Sequence, residues 1–145
     1  MKFSMSSVIF PLALAHTAFS QSVRIGAPAD QSSVQAGSSI VVEVDRPDTL
    51  TPSTEIALVI GVASCHNAPC LGPDLLGLGT VLYSGPFNPQ FDTPADGKPP
   101  HQNFTVVIPE SFQKGPAQLA LFHIALVGAS VEPLAQLRNI TLNIL

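Results

Sequence analysis

The chain has 145 residues, of which 46% are apolar, and it carries six Lys and Arg against ten Asp and Glu. That balance excludes nucleic acid and anionic lipid as partners, since both select basic surfaces. The length fits one domain that needs no metal or disulfide scaffold to fold.

Residues 1–20 read as a secretory signal peptide. Lys2 supplies the positive start, "VIFPLALA" from Val8 to Ala15 the apolar stretch, and "AFS" from Ala18 to Ser20 the small residues that signal peptidase requires. Cleavage between Ser20 and Gln21 leaves residues 21–145, with five basic residues against ten acidic and a net charge of −5. The apolar stretch is too short for a bilayer, which takes about 20 residues. The longest later apolar run, "IALVIGVA" from Ile56 to Ala63, is only strand-length. The expectation is a secreted, extracellular protein with no membrane insertion.

The mature part reads as strands throughout. A first strand lies around Ser22 to Pro28. In "SIVVEVD", Ser39 to Asp45, Ile40, Val42 and Val44 share one face, and Val41, Glu43 and Asp45 the other, as a half-buried strand requires. "EIALVIGVAS", Glu55 to Ser64, is apolar on both faces. With Ile56, Leu58, Ile60 and Val62 on one side, it suits a central strand covered on both.

"GTVLYS" from Gly79 and "NFTVVIP" from Asn103 are two more strands; the second turns Phe104, Val106 and Ile108 inward and stops at Pro109. "AQLALFHIALVG" from Ala117 has helix-favouring Ala, Leu and Gln, but its Ile, Phe and Val and the preceding Gly-Pro favour a strand. "NITLNIL", Asn139 to Leu145, alternates again. Gly and Pro turn signals separate these runs. About seven short strands so punctuated predict an all-β, antiparallel sandwich of immunoglobulin or fibronectin type, with a closed barrel as the alternative.

Cys65 and Cys70 in "CHNAPC" predict a local disulfide, worth roughly 2 kcal/mol for so short a loop. The C-x4-C spacing does not suit a redox pair, and with His66 the segment lacks a fourth metal ligand. Residues 84–102 form a Pro-rich loop longer than ordinary connections, and therefore either functional or partly disordered. It is not a linker, because strands after Asn103 are needed to complete sheets begun before Ser84. Phe87 and Phe91 in this loop, with Leu75, Leu76 and Leu78 in the preceding one, either meet a partner or cap the core.

Asn103 ("NFT") and Asn139 ("NIT") satisfy the N-glycosylation rule. In each strand the Asn and Thr share the face opposite the apolar residues, and both acceptors are expected to face solvent.

Catalytic constellations are sparse. His66 and His101 lie in Pro-rich loops with no acid beside them, and His123 sits inside the apolar run "LALFHIALV". Glu43 and Asp45 form an outward pair of the kind that is ordinarily solvated surface. Asp45 and Asp48 flank Arg46 and Pro47 in a turn, without the oxygen donors calcium takes. An enzyme would need a pocket in which His123 meets Glu or Asp, so no enzymatic activity and no cofactor are expected.

The segments "EIALVIGV", "LGTVLYSGP", "NFTVVIPESFQKGPAQL", "LVGAS" and "NITLNI" together resemble the necrosis-inducing secreted effector proteins of fungi. The opening "PADQSSVQAGSSIVVEV" is also similar to fungal cell-wall-associated immunoglobulin-like domains. The first resemblance implies a protein partner, a plant immune receptor-like kinase whose signalling is dampened, with host cell death as an outcome. Phe87 and Phe91 are the candidate contact residues on their place in the Pro-rich loop, not on the resemblance. The second implies a cell-wall sandwich that binds polysaccharide or serves a structural role.

Overall fold

The computed structural model describes residues 22–66 and 68–145. The signal-peptide reading, with its cleavage between Ser20 and Gln21, lies outside the described residues. Eight strands follow in chain order: β1 Arg24–Ala27, β2 Ser32–Val34, β3 Ser39–Asp45, β4 Ser53–Ser64, β5 Thr80–Gly85, β6 His101–Val107, β7 Gly115–Val127 and β8 Glu132–Ile144. One turn of helix, α1 Pro73–Leu76, stands between β4 and β5. Among the described residues no helix is long and apolar enough to cross a membrane.

The strands form two separate sheets, β1-β3-β6 and β2-β8-β7-β4-β5, so the architecture is a sandwich and not a closed barrel. Two details differ from the sequence expectation. Among the described residues the strands number eight, because Ser32–Val34 is too short to alternate visibly. The pairing is also not wholly antiparallel, because β2 runs parallel to β8, Ser32 opposite Leu142 and Val34 opposite Ile144.

The core lies between the sheets and follows from strand alternation. Val42 and Val44 of β3 and Phe104 and Val106 of β6 face Leu58, Ile60 and Val62 of β4 and Leu119 and Leu121 of β7. The run from Ala117 is a strand, paired with β4 on one side and along its whole length with β8 on the other.

The inner face of β4 departs from the simple alternation. A bulge between Glu55 and Ala57 makes Ile56 the extra residue, so Glu55 pairs with Ala125 while Leu58 pairs with His123. Ile56, expected inward with Leu58, is 47% exposed, and Glu55 turns into the sandwich instead.

The Pro-rich segment joins β5 in one sheet to β6 in the other, and the strands beyond it pair back onto earlier ones, β6 with β3 and β7 with β4. It is tied down at several points: the Asn88 N–H donates to Gln102 Oε1 at 2.7 Å, and Gln90 and His101 exchange backbone hydrogen bonds.

Candidate functional site

Three places in the sandwich concentrate unusual chemistry: a buried polar cluster, the Pro-rich loop, and the outer face of the five-stranded sheet.

The buried cluster centres on Glu55 and His123. His123 Nε2 donates to Glu55 Oε2 at 2.5 Å, and Ser53 Oγ donates to Glu55 Oε1 at 2.7 Å. Arg46 donates to Ser53 Oγ at 3.2 Å and stands 3.8 Å from the same carboxylate. On the far side of the ring, His123 Nδ1 lies 3.4 Å from Gln136 Oε1, which also accepts from the Val23 N–H. Burial alone would push the Glu55 carboxyl up, but hydrogen bonds from His123 and Ser53 and the charges of His123 and Arg46 outweigh it. The carboxyl is held below its ordinary value. His123 therefore does meet an acid, through the β4 bulge. The space left among Arg46, Ser53, Glu55 and His123 is only about 10 Å³, the room a single water takes.

The Pro-rich loop divides the two candidate aromatics. Phe87 is 4% exposed, with its ring 6.3 Å from Phe104 and edge-on to His123 at 5.5 Å. It caps the core between the sheets, which corrects its assignment as a contact residue. Phe91 is 56% exposed and lines a cleft of about 440 Å³ with Asp92, Asp96 and Lys98.

The end of the loop is fastened over the outer face of the small sheet by charge. Lys98 pairs with Glu43 at 2.8 Å; beside it, Arg24 of β1 pairs with Asp45 of β3 at 2.8 Å. Asp45, expected on a solvated face, is 3% exposed, because Arg24 and Gly26 of β1 close over it.

His101, expected in a loop without an acid, begins β6 and is buried. Its Nδ1 donates to the Pro99 carbonyl at 2.9 Å, and Nε2 faces Asp92 at 3.6 Å. The Pro99 hydrogen bond and the nearby Asp92 and Glu43 carboxylates raise its pKa above 6.5, against the opposing effects of burial and of Lys98. A raised value means the stabilisation is complete at pH below 6.5 and disappears as pH climbs through the folded-state pKa. Hydrogen exchange, corrected for its intrinsic pH dependence, is expected to show protection over residues 88–98 falling across that window. His101→Gln should remove the dependence; equal protection across it in the unsubstituted protein would contradict the anchor.

The third place is a surface. On the outer face of the five-stranded sheet the register sets Val59 beside Phe122 and Phe122 beside Leu137, Ala57 beside Ile124 and Ile124 beside Ala135, and Leu126 beside Pro133. None of these positions carries a charge. The sequences of β4 and β7 are apolar on both faces, which asks for a cover on the outer side, and the described residues supply only half of one. Residues 65–66 and 68–79 fold back over Gly61, Ala63, Gln118 and Ala120, all buried.

That cover is held at three points. The Cys65–Cys70 disulfide closes its start, with Cα atoms 5.0 Å apart, the Cys65 N–H donates to the Pro116 carbonyl, and Gln118 Nε2 donates to the Gly77 carbonyl. Its approach requires glycine: a Cβ on Gly61 would overlap the Leu78 carbonyl, and Gly79, at φ +67°, would overlap the Val62 carbonyl. None of the described residues covers the other half of the face. Val59, Phe122, Ile124 and Leu126 are half-buried there, and Ile56, Val81 and Leu137 border them at 47%, 55% and 37% exposure.

Asn103 and Asn139 are both exposed, the first on the outer face of β6 and the second on the outer face of β8. Among the described residues no three of His, Cys, Asp and Glu converge as metal ligands. Sequence reasoning missed Glu55 and Gln136, since a bulge and a buried amide leave no mark in the hydrophobic pattern. It also missed the open face, although the two-sided apolar runs were its signal.

A family model described as the Nis1 family matches residues 18–143. No curated protein matches the chain. Among solved structures, a superoxide reductase (neelaredoxin) from Ignicoccus hospitalis is similar, with 12% identity, 85% of this chain and 81% of that chain covered, and a TM-score of 0.47.

Proposed function

The chain belongs to the Nis1 family of necrosis-inducing secreted fungal effectors, and we propose that it acts on a host protein by direct contact, without bond-making chemistry of its own. The observation that carries this is the open half of the outer sheet face, an uncharged apolar surface around Val59, Phe122 and Ile124. Contiguous exposed apolar area of this kind marks interaction sites on soluble proteins. The small space at Glu55 and His123 supports the non-enzymatic part of the reading, since it admits no substrate. The partner we infer is the kinase domain of a plant immune receptor-like kinase, on the family resemblance of the strand segments.

Purified protein should bind such a kinase domain. Val81→Asp with Leu137→Asp should weaken that binding at least tenfold, because each carboxylate would enter the interface unpaired. Both positions are exposed enough that the melting temperature should stay within a few degrees. No binding across a panel of receptor-like kinase domains would sink the kinase assignment. Sedimentation with insoluble glucan or chitin would favour the cell-wall reading instead; the protein is expected to stay in the supernatant.

A further inference from the structure

The two sequons stand in different surroundings. Asn103 on β6 lies opposite Glu43, on the outer face of the small sheet and beside the charged anchor of the Pro-rich loop. Asn139 on β8 lies opposite Ala120, on the same outer face as the open apolar surface. Leu137, two residues earlier and so on the same face, is about 6.6 Å away along the strand. It is 37% exposed and sits opposite Phe122. Among the described residues β2 pairs with β8 only at Leu142 to Ile144, and Asn139 is exposed, so its amide is reachable on that side. The backbone just beyond is held, with the Thr141 N–H donating to Asp30 Oδ1 and the Gln31 N–H donating to the Thr141 carbonyl.

We propose that Asn139 carries an N-linked glycan whose first sugar rests on Leu137, at the margin of the open apolar face, and narrows that face in the secreted protein. In the transfer, the Asn139 amide nitrogen bonds to C1 of an N-acetylglucosamine and loses one proton. The C1–oxygen bond to the donor breaks, the lipid pyrophosphate leaves with the electron pair, and the amide proton passes to a base of the transferring enzyme. An N-acetylglucosamine ring presents C–H groups on one face and hydroxyls on its rim. Laying the C–H face on Leu137 removes apolar surface from water while the hydroxyls stay solvated. The glycan thus covers the part of the face nearest β8 and leaves Val59 and Ile124 open. Its effect on docking rests on the contact reading above; the glycan and its resting place do not.

The test uses the full chain secreted from a fungal or yeast host that glycosylates. Intact mass before and after peptide-N-glycosidase treatment should show sugar on Asn139, and Asn139→Gln should lack it. Anilinonaphthalene sulfonate, a dye that reports exposed apolar surface, should fluoresce at least twofold more with Asn139→Gln than with the unsubstituted protein. Asn103→Gln, on the other sheet, should leave the dye signal unchanged. Enzymatic removal of sugar from the folded protein gives the same comparison should Asn139→Gln fold poorly. An Asn139 free of sugar, or equal dye fluorescence with and without its glycan, overturns the proposal. Neither measurement involves the host partner, so failure here and failure of the contact reading are separable.

Discussion

Replacing Glu55 with alanine is expected to lower stability by about 3–5 kcal/mol, since His123 Nε2 and Ser53 Oγ both lose their acceptor and each buried unsatisfied group costs about 1–3 kcal/mol. In a domain of this size that is a melting temperature lower by roughly 10–20 °C. The loss is not confined to one contact. His123 keeps its place against Phe87 and Gln136 but loses the oxygen on Nε2, and Ser53 and Arg46 lose the carboxylate they share. A buried ring nitrogen without an acceptor then costs its desolvation in full. Glu55→Gln keeps the shape and one acceptor, and a smaller loss is expected from it.

The pH dependence gives a second readout of the same group. Because the folded-state carboxyl lies below its ordinary 4.5, its contribution is fully present above that value. It falls away as pH drops through the folded-state pKa. Denaturant midpoints measured through the acid range should fall more steeply for the unsubstituted protein than for Glu55→Gln. Parallel curves would show that Glu55 does not carry its charge into the fold.

How much of this could be read before the structure depends on what each residue does to the hydrophobic pattern. Val42, Val44, Phe104 and Val106 alternate without interruption, and the β3 and β6 strands are where period two puts them. β8 is legible only from Asn139, because upstream its inner face carries Leu134, Gln136 and Arg138 while Ala135 and Leu137 point outward. There Gln136 and Arg138 turn in while Ala135 and Leu137 turn out, which hides a strand from an alternation search. The same inversion holds part of the candidate site: Gln136 completes the buried cluster and Leu137 rims the open face. Ile56 shows the other limit. One bulged residue reverses the facing of everything before it, and nothing in "TEIALVI" announces the reversal. The Pro-rich loop is legible as a long internal loop, but not the choice it makes between its two aromatics, since burial there is decided by contacts with Phe104 and His123 far along the chain.

That choice sets the second large effect. Phe87→Ala is expected to cost about 3–5 kcal/mol, as for other buried aromatic rings cut back to alanine. The ring reaches from the start of the loop into the space between the sheets, against Phe104 of β6 and His123 of β7. Removing it leaves a cavity that neither sheet can close alone, since both neighbours are strand residues fixed by their ladders. The same ring anchors the loop, so residues 88–100 should also lose hydrogen-exchange protection in this variant. Phe91→Ala, at an exposed position, should change stability by no more than about 0.5 kcal/mol. Urea unfolding of the two variants side by side separates the roles. A Phe87→Ala protein within about 1 kcal/mol of the unsubstituted one would mean that the ring is not a core residue. It follows that a loss of partner binding in Phe87→Ala reports unfolding, and only Phe91→Ala reports whether the loop itself touches the host protein.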